Sequence, residues 1–508
     1  MKKSILTRAF RTLTVLVVAG IGSATAFAQR YCNPLPMPIG PGGNASGDVS
    51  VMEEGGKYYM CCSGGAMWVS DDLLNWEHHQ VNINFPVAPD IVKYNGKFYV
   101  TGNSDHVYAA DDPLGPYTDL GLFKNTGPIE NGWLGGFDTK IFVDDDNQPY
   151  LFWPGRGISG IYGVKLDKND LTKFDGVPTH LFSFNPMHVW ERYGEANEYP
   201  MVAWIEGPWI IKRNGIYYIE YSASGTQWKT YAEGYYTATS PLGPYSYAPN
   251  NPLLRKTEGL VTGTAHGSIV KMKDRDEWWQ FYTIVLSSPP GGRRIGMDKV
   301  TFDADGLMSC KVTDSPQPAP GARVNPNSTV SIPVSINKIG IADAKSSFSS
   351  AKDGYPAAFA VDNYSGTVWM PEDGDTAPSF VVDLGPATRY DVVQHFTIDA
   401  MRVMFTGARR RFGAAAGDLP VYRYKLDVSS DGETFVTVLD KTGNTESKDT
   451  IFEEFAAVNC RFVRFTVTDW PKESPLGVID FTVFGYPEGY ELPEVASPVF
   501  SNLPLDMQ

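Results

Sequence analysis

The sequence predicts an all-β protein, a five-bladed β-propeller followed by a β-sandwich, and three observations predict it. The 508 residues include 50 glycines, 37 prolines and 13% aromatics, which is the composition of many short strands joined by tight turns. Five segments before residue 310 repeat one pattern. Beyond residue 340 the strands alternate apolar and polar residues with no helical period.

The length suits two or three domains. With 42% hydrophobic and 20% charged residues the chain is globular rather than disordered or fibrous. Acidic side chains outnumber basic ones, 58 against 43, for a net charge of −15. That excludes nucleic acid or an anionic membrane as the main partner, since both reward clustered Lys and Arg. Arg409-Arg410-Arg411 is too short a run to change this and reads as a solvated loop.

Residues 1–28 read as a signal peptide. Met1-Lys2-Lys3 opens a basic region, an apolar run extends from Leu13 to Gly22, and Ala26-Phe27-Ala28 supplies a small-x-small cleavage site. The mature chain is then expected to begin near Gln29 in the periplasm or outside a bacterial cell, with no integral membrane segment. Cys32 lacks the preceding small and apolar residues that lipidation requires. The five cysteines, Cys32, Cys61, Cys62, Cys310 and Cys460, are too scattered for a disulfide framework or a zinc site. A Cys32–Cys310 bridge tying the ends of the first domain is one reading, and buried free thiols are the other.

The repeat organises residues 29–315. Each segment starts on an ionisable residue, continues as an apolar or alternating run, turns, and returns as an aromatic-rich strand. The starts are Asp48, Asp90, Asp138, Glu206 and His266, and the turns include Gly55-Gly56, Asn95-Gly96, Asp146-Asn147 and Asn214-Gly215. Asn-Gly between apolar runs signals a type I′ hairpin, whose two central residues need positive φ. A second repeat, Asp112-Pro-Leu-Gly-Pro-Tyr117 and Ser240-Pro-Leu-Gly-Pro-Tyr245, falls where an outer blade turn would be. Repeated four-stranded sheets with short edges make a propeller, and five segments make five blades.

The innermost strand of each blade runs along the central axis, so residues at one register converge. Four carboxylates and a histidine in one funnel push pKa values apart, as acid–base chemistry requires. Glycoside hydrolysis uses such a pair: an acid for the leaving oxygen, and a carboxylate on the opposite sugar face. Trp133, Trp153, Trp204, Trp209 and Trp228 lie near these segments and offer rings for sugar faces. No phosphate loop, nucleophile elbow or zinc-protease motif competes.

Residues from about 31 to 315 resemble glycoside hydrolase family 43, five-bladed propellers that act on arabinose-, xylose- and galactose-containing glycans. The resemblance is carried by Gly47-Asp48-Val-Ser-Val with Gly56-Lys-Tyr-Tyr, by Phe137-Asp138 with Val143-Asp-Asp-Asp146, and by Ile205-Glu206-Gly-Pro208 with Asn214-Gly-Ile-Tyr-Tyr218. His266-Gly-Ser and Arg294-Ile-Gly-Met-Asp298 add to it. It implies that Asp48 is the general base, Glu206 the general acid and Asp138 the aspartate that tunes and orients the acid. It also implies inversion, with acid and base about 6.5–9.5 Å apart. His266 resembles an axial histidine that in many members lies near a central cation, often calcium reached through water; the alternative is a histidine hydrogen-bonded without metal. No cofactor is required for the chemistry. Asp90, Arg294 and Trp209 are expected in the substrate pocket. Glu191, Glu195 and Glu198 precede the acid and read as solvated or rim residues.

Pro316 to Pro326 opens a linker over 316–339. Residues 340–487 resemble an F5/8 type C (discoidin-like) jelly roll, carried by Phe380-Val-Val-Asp-Leu-Gly385 and Tyr424-Lys-Leu-Asp-Val-Ser-Ser-Asp-Gly432. Many relatives of that module bind galactose-like sugars, so Tyr364 and Trp369 are candidate loop contacts, with a core role for Trp369 the stronger reading. Residues 488–508 form a tail. The combined expectation is a monomeric, exported, inverting exo-glycosidase that releases arabinofuranosyl, xylosyl or galactosyl units from plant cell-wall polysaccharide. The rival is a propeller that binds glycan without cleaving it.

Overall fold

The computed structural model describes residues 29–489, except 41–44, 64, 104–105, 125–137, 288–291, 323–330, 337–347, 386–393, 408–418 and 473. The expected signal peptide, Trp133, Phe137, Arg409 to Arg411 and nearly all of the tail lie outside the described residues.

Five antiparallel sheets form the propeller, each with its first four strands hydrogen-bonded in chain order from the axis outward, and in the third blade a further strand, Thr179–Phe182, pairs with Ile161–Asp167. Their innermost strands are Ser50–Glu54, Asp90–Tyr94, Lys140–Val143, Glu206–Arg213 and Ala265–Lys271. Each packs against the next, and the fifth returns to the first. The first hairpins turn as the sequence demands: Gly55 and Gly56, Asn95 and Gly96, and Asn214 and Gly215 all have positive φ. The Pro-Leu-Gly-Pro-Tyr repeats join third and fourth strands in blades two and four. In both, the tyrosine hydroxyl donates back to a proline carbonyl, Tyr117 to Pro113 at 2.6 Å and Tyr245 to Pro241 at 2.9 Å.

The second domain is a sandwich of two four-stranded antiparallel sheets. One runs Ile332–Pro333, Val478–Pro487, Phe396–Phe405, Thr450–Cys460; the other runs Ser379–Asp383, Phe462–Asp469, Arg423–Ser429, Val436–Asp440. The edge strand Ile332–Pro333 sits inside the segment expected to be a linker, so the sandwich begins earlier than its composition suggests. Trp369 is fully buried against Phe380, ring centroids 5.0 Å apart, which makes it a core residue, while Tyr364 stays 48% exposed.

All five cysteines are buried free thiols. The ends of the propeller are joined by other means. Arg30–Tyr31 pairs with Gln317–Pro318, and the buried Arg402 of the sandwich donates to Asn33 O at 2.8 Å and Asp314 O at 2.9 Å. An apolar cluster also crosses between the domains, with Val368, Met404 and Ile479 of the sandwich packed among Leu260, Val261, Ile284 and Leu286 of the propeller.

Candidate active site

A left-handed residue recurs where each blade enters the axis: Asp48 (φ 50°), Ala88 (49°), Asp138 (40°), Gly207 (55°) and His266 (46°). Each stands three residues before a buried aliphatic side chain, namely Val51, Ile91, Ile141, Ile210 and Ile269. Non-glycine residues at positive φ are uncommon and gather at functional sites. Gly207 has a further reason to lack a side chain, because a Cβ there would lie 2.9 Å from the His266 ring.

This register corrects two sequence expectations. Asp90 lies two residues past Ala88, and Trp209 two past Gly207, so both belong to a deeper tier with Ser50, Lys140 and Ser268. There, Ser50 Oγ, Lys140 Nζ and Ile141 N donate to Asp90 at 3.2, 2.6 and 2.9 Å. The Lys140 ammonium stands 3.4 Å from the centroid of the Trp209 ring, and Val51 N donates to Ser268 Oγ at 3.0 Å. The tier thus links all five blades through polar contacts, and the Asp90 carboxylate is held by three donors. Trp209 is buried, with Lys140 over its ring. The cavity between the two tiers is about 20 Å³, room for one water and too small for a pyranose or furanose ring.

Above this cavity three carboxylates gather. Asp48 accepts both bonds from Arg293 Nη1, at 2.8 and 2.7 Å, and a third from Ser63 Oγ at 2.7 Å. Asp138 Oδ2 accepts from Gly207 N at 3.0 Å. Glu206 Oε1 accepts from the hydroxyl of the buried Tyr231 at 2.6 Å. His266 Nδ1 sits among them, 3.4 Å from Asp48 Oδ1, 3.9 Å from Asp138 Oδ2 and 3.4 Å from the Tyr231 hydroxyl.

Burial lifts the Glu206 carboxyl to about 7, although the Tyr231 hydrogen bond pulls it down. Burial also raises Asp138 well above the usual carboxylate range, and the charges of Glu206 and Asp48 add to it. Both shifts favour the protonated forms of the two acids. Burial lowers the His266 imidazole, which leaves it neutral at pH 7.

The side chains around His266 do not themselves form a calcium ligand set; the cation that the resemblance implies is one reached through water. Calcium takes six to eight oxygens, and Nδ1 faces carboxylates that already serve Arg293 and Gly207. Among the described residues no group of three His, Cys, Asp or Glu side chains is placed to hold a metal ion.

Arg294 is not in the site. Successive strand residues point to opposite faces, so it donates instead to Asp449 Oδ2 at 2.9 Å and Thr450 Oγ1 at 3.2 Å in the sandwich. Its neighbour Arg293 faces the axis and also bonds Thr226 Oγ1. Alternation alone shows that only one of the two arginines reaches the axis; which one depends on a register the sequence does not display. Tyr231 and Ser63 carry no sequence signal. Glu191 is not a rim residue either: it is buried, accepting from the Tyr221 hydroxyl at 2.6 Å and from Asn185 N at 2.9 Å.

A propeller axis that gathers a carboxyl raised by burial and an arginine-paired carboxylate holds the two groups that glycoside hydrolysis needs. Residues 36–308 match the model of glycosyl hydrolases family 43, and residues 343–480 match the F5/8 type C domain. The chain belongs to glycosyl hydrolases family 43. It is 25% identical over 263 residues to the beta-D-galactofuranosidase xynD of Aspergillus niger, covering 47% of this chain and 71% of that one. Over 250 residues it is 26% identical to a beta-xylosidase of Xylanibacter ruminicola, covering 43% and 71%. An arabinoxylan arabinofuranohydrolase of Bacillus subtilis is 28% identical over 282 residues, covering 47% and 53%.

Proposed function

We propose that the enzyme is an exported, inverting exo-glycosidase that removes terminal arabinofuranosyl, xylosyl or galactosyl units from plant polysaccharides. One arrangement carries the reading: Asp48 and Asp138 face one imidazole, Glu206 joins it through the Tyr231 hydroxyl, and burial lifts Glu206 to about 7. Glu206 gives its proton to the glycosidic oxygen as the C–O bond breaks. Asp48 takes a proton from the water that attacks the anomeric carbon from the opposite face, so the configuration inverts. Asp138 holds the Glu206-Gly207 backbone through its bond from Gly207 N and, by its proximity, keeps a proton on the pair. The names of the three relatives support the choice of sugars. The basic and apolar N-terminal pattern supports export, and no described helix is long and apolar enough to cross a membrane.

The test is a panel of aryl α-L-arabinofuranoside, β-D-xyloside and β-D-galactoside beside arabinoxylan and arabinogalactan, with proton NMR of the first anomer released. One monosaccharide released with inverted configuration is the expected result. A retained configuration, or internal cleavage of the polymers, would overturn the reading.

A further inference from the structure

The two domains meet behind the hairpin that carries Arg293, and the contacts there are polar, buried and specific. Leu286 N donates to Gly292 O at 3.0 Å and closes the hairpin. On its first limb, Ser287 N donates to Oγ of the fully buried Ser365 at 2.9 Å. On its second limb, Arg294 binds Asp449 and Thr450 as described, and the Arg294–Asp449 pair is nearly solvent-free, with side chains 9% and 7% exposed. The same sandwich segment reaches the chain leading to Asp48, where Ile39 N donates to Ser447 O at 2.8 Å.

We infer that the sandwich is part of the catalytic apparatus: Asp449 is a positioning residue that, through Arg294, sets the placement of Arg293 and so the orientation of Asp48. The inference rests on the reading of Asp48 as the general base. Docking itself does not need this ion pair, because the shared apolar cluster and Arg402 already join the domains. A buried ion pair adds little net stability over an apolar pair once desolvation is counted, so stability alone does not account for this one. Arg293 and Arg294 are adjacent on one strand, so pinning one guanidinium limits the twist and slide of the other. Misplacing a catalytic group by about 1 Å costs on the order of a hundredfold in rate.

The experiment compares kcat and KM of the full chain, on an aryl glycoside that it hydrolyses, for Asp449→Asn, Ser365→Ala, Arg293→Ala, Arg293→Ala/Asp449→Asn and Asp48→Asn. The expected result is a loss of about tenfold or more in kcat for Asp449→Asn, with KM and the near-UV circular dichroism little changed, and a smaller loss for Ser365→Ala. In the Arg293→Ala background, Asp449→Asn should cost almost nothing further, because the group it positions is gone. An unchanged kcat in folded Asp449→Asn, or an equal loss in both backgrounds, overturns the inference. Should Asp449→Asn fail to fold, Ser365→Ala alone and combined with Arg293→Ala decides by the same criteria. Full activity in Asp48→Asn would instead overturn the underlying assignment of the base.

Discussion

Arg293 Nη1 donates to both carboxylate oxygens of Asp48, at 2.8 and 2.7 Å, joining the last blade to the first. The contact aims the carboxylate and places a fixed cation beside it, 25% exposed on the pocket side. Replacing Arg293 by Ala should lower kcat/KM on the order of a hundredfold with the fold intact. Steady-state kinetics beside a thermal melt checks this, and a loss below about twofold would show that Asp48 is held by other contacts.

The pH profile should follow Glu206. Its proton is present below about 7 and lost above it, so the basic limb of kcat/KM should fall near pH 7. The Tyr231 hydroxyl stabilises the ionised form, so Tyr231→Phe should move that limb to higher pH. A limb that stays in place in the variant would assign it to another group.

Part of this site was legible in the sequence, for reasons visible in particular residues. Asp48, Asp138 and His266 each occupy the left-handed entry position, three residues before an aliphatic one, so the pattern marks them directly. In blades two and four that position is filled by Ala88 and Gly207, which carry no charge. An alignment on ionisable residues therefore slides to Asp90 and Glu206. The slip was harmless for Glu206, one residue away and still at the mouth, but it put Asp90 two residues too high. Arg293 and Arg294 are adjacent on one strand, and alternation fixes that they face opposite ways without fixing which of them faces inward. Asp449 lies 155 residues from Arg294, and Ser63 and Tyr231 lie 15 and 25 residues from the carboxylates they serve with no motif to mark them, so only folding reveals the three partners.

The deeper tier should matter for stability. Lys140 is the cation paired with the buried Asp90, and Lys140→Met would leave that carboxylate uncompensated at the axis. Urea unfolding should show a loss of about 3–5 kcal/mol. A loss under about 1 kcal/mol, as for a surface pair, would mean that Asp90 finds other compensation.

A second buried carboxyl pair predicts how stability varies with pH. Between blades four and five, Gln280 Nε2 donates to Glu220 Oε2 at 3.4 Å and Glu233 Oε2 at 3.3 Å. Burial raises Glu220 to about 8, and burial together with the charge of Glu220 raises Glu233 well above the usual carboxylate range. The native state thus binds protons that the unfolded chain, with ordinary values near ~4.3, releases. The resulting stability is full below the ordinary value and is lost as pH rises through about 8. The thermal midpoint should therefore fall as pH rises from the ordinary carboxylate range to about 8 and level off above it, and Glu220→Gln should flatten the fall. An unchanged slope in the variant would place the titration elsewhere.

The central claim, that Glu206 delivers the proton to the departing oxygen, is tested most directly by leaving-group chemistry. Glu206→Gln would be assayed on two aryl glycosides of the preferred sugar, one releasing an acidic dinitrophenol and one a weakly acidic alkylphenol. The expected result is near-normal cleavage of the first, which needs no proton, and a loss on the order of 10²–10⁴ on the second. Equal losses on both substrates, or no loss on either, would contradict the role assigned to Glu206.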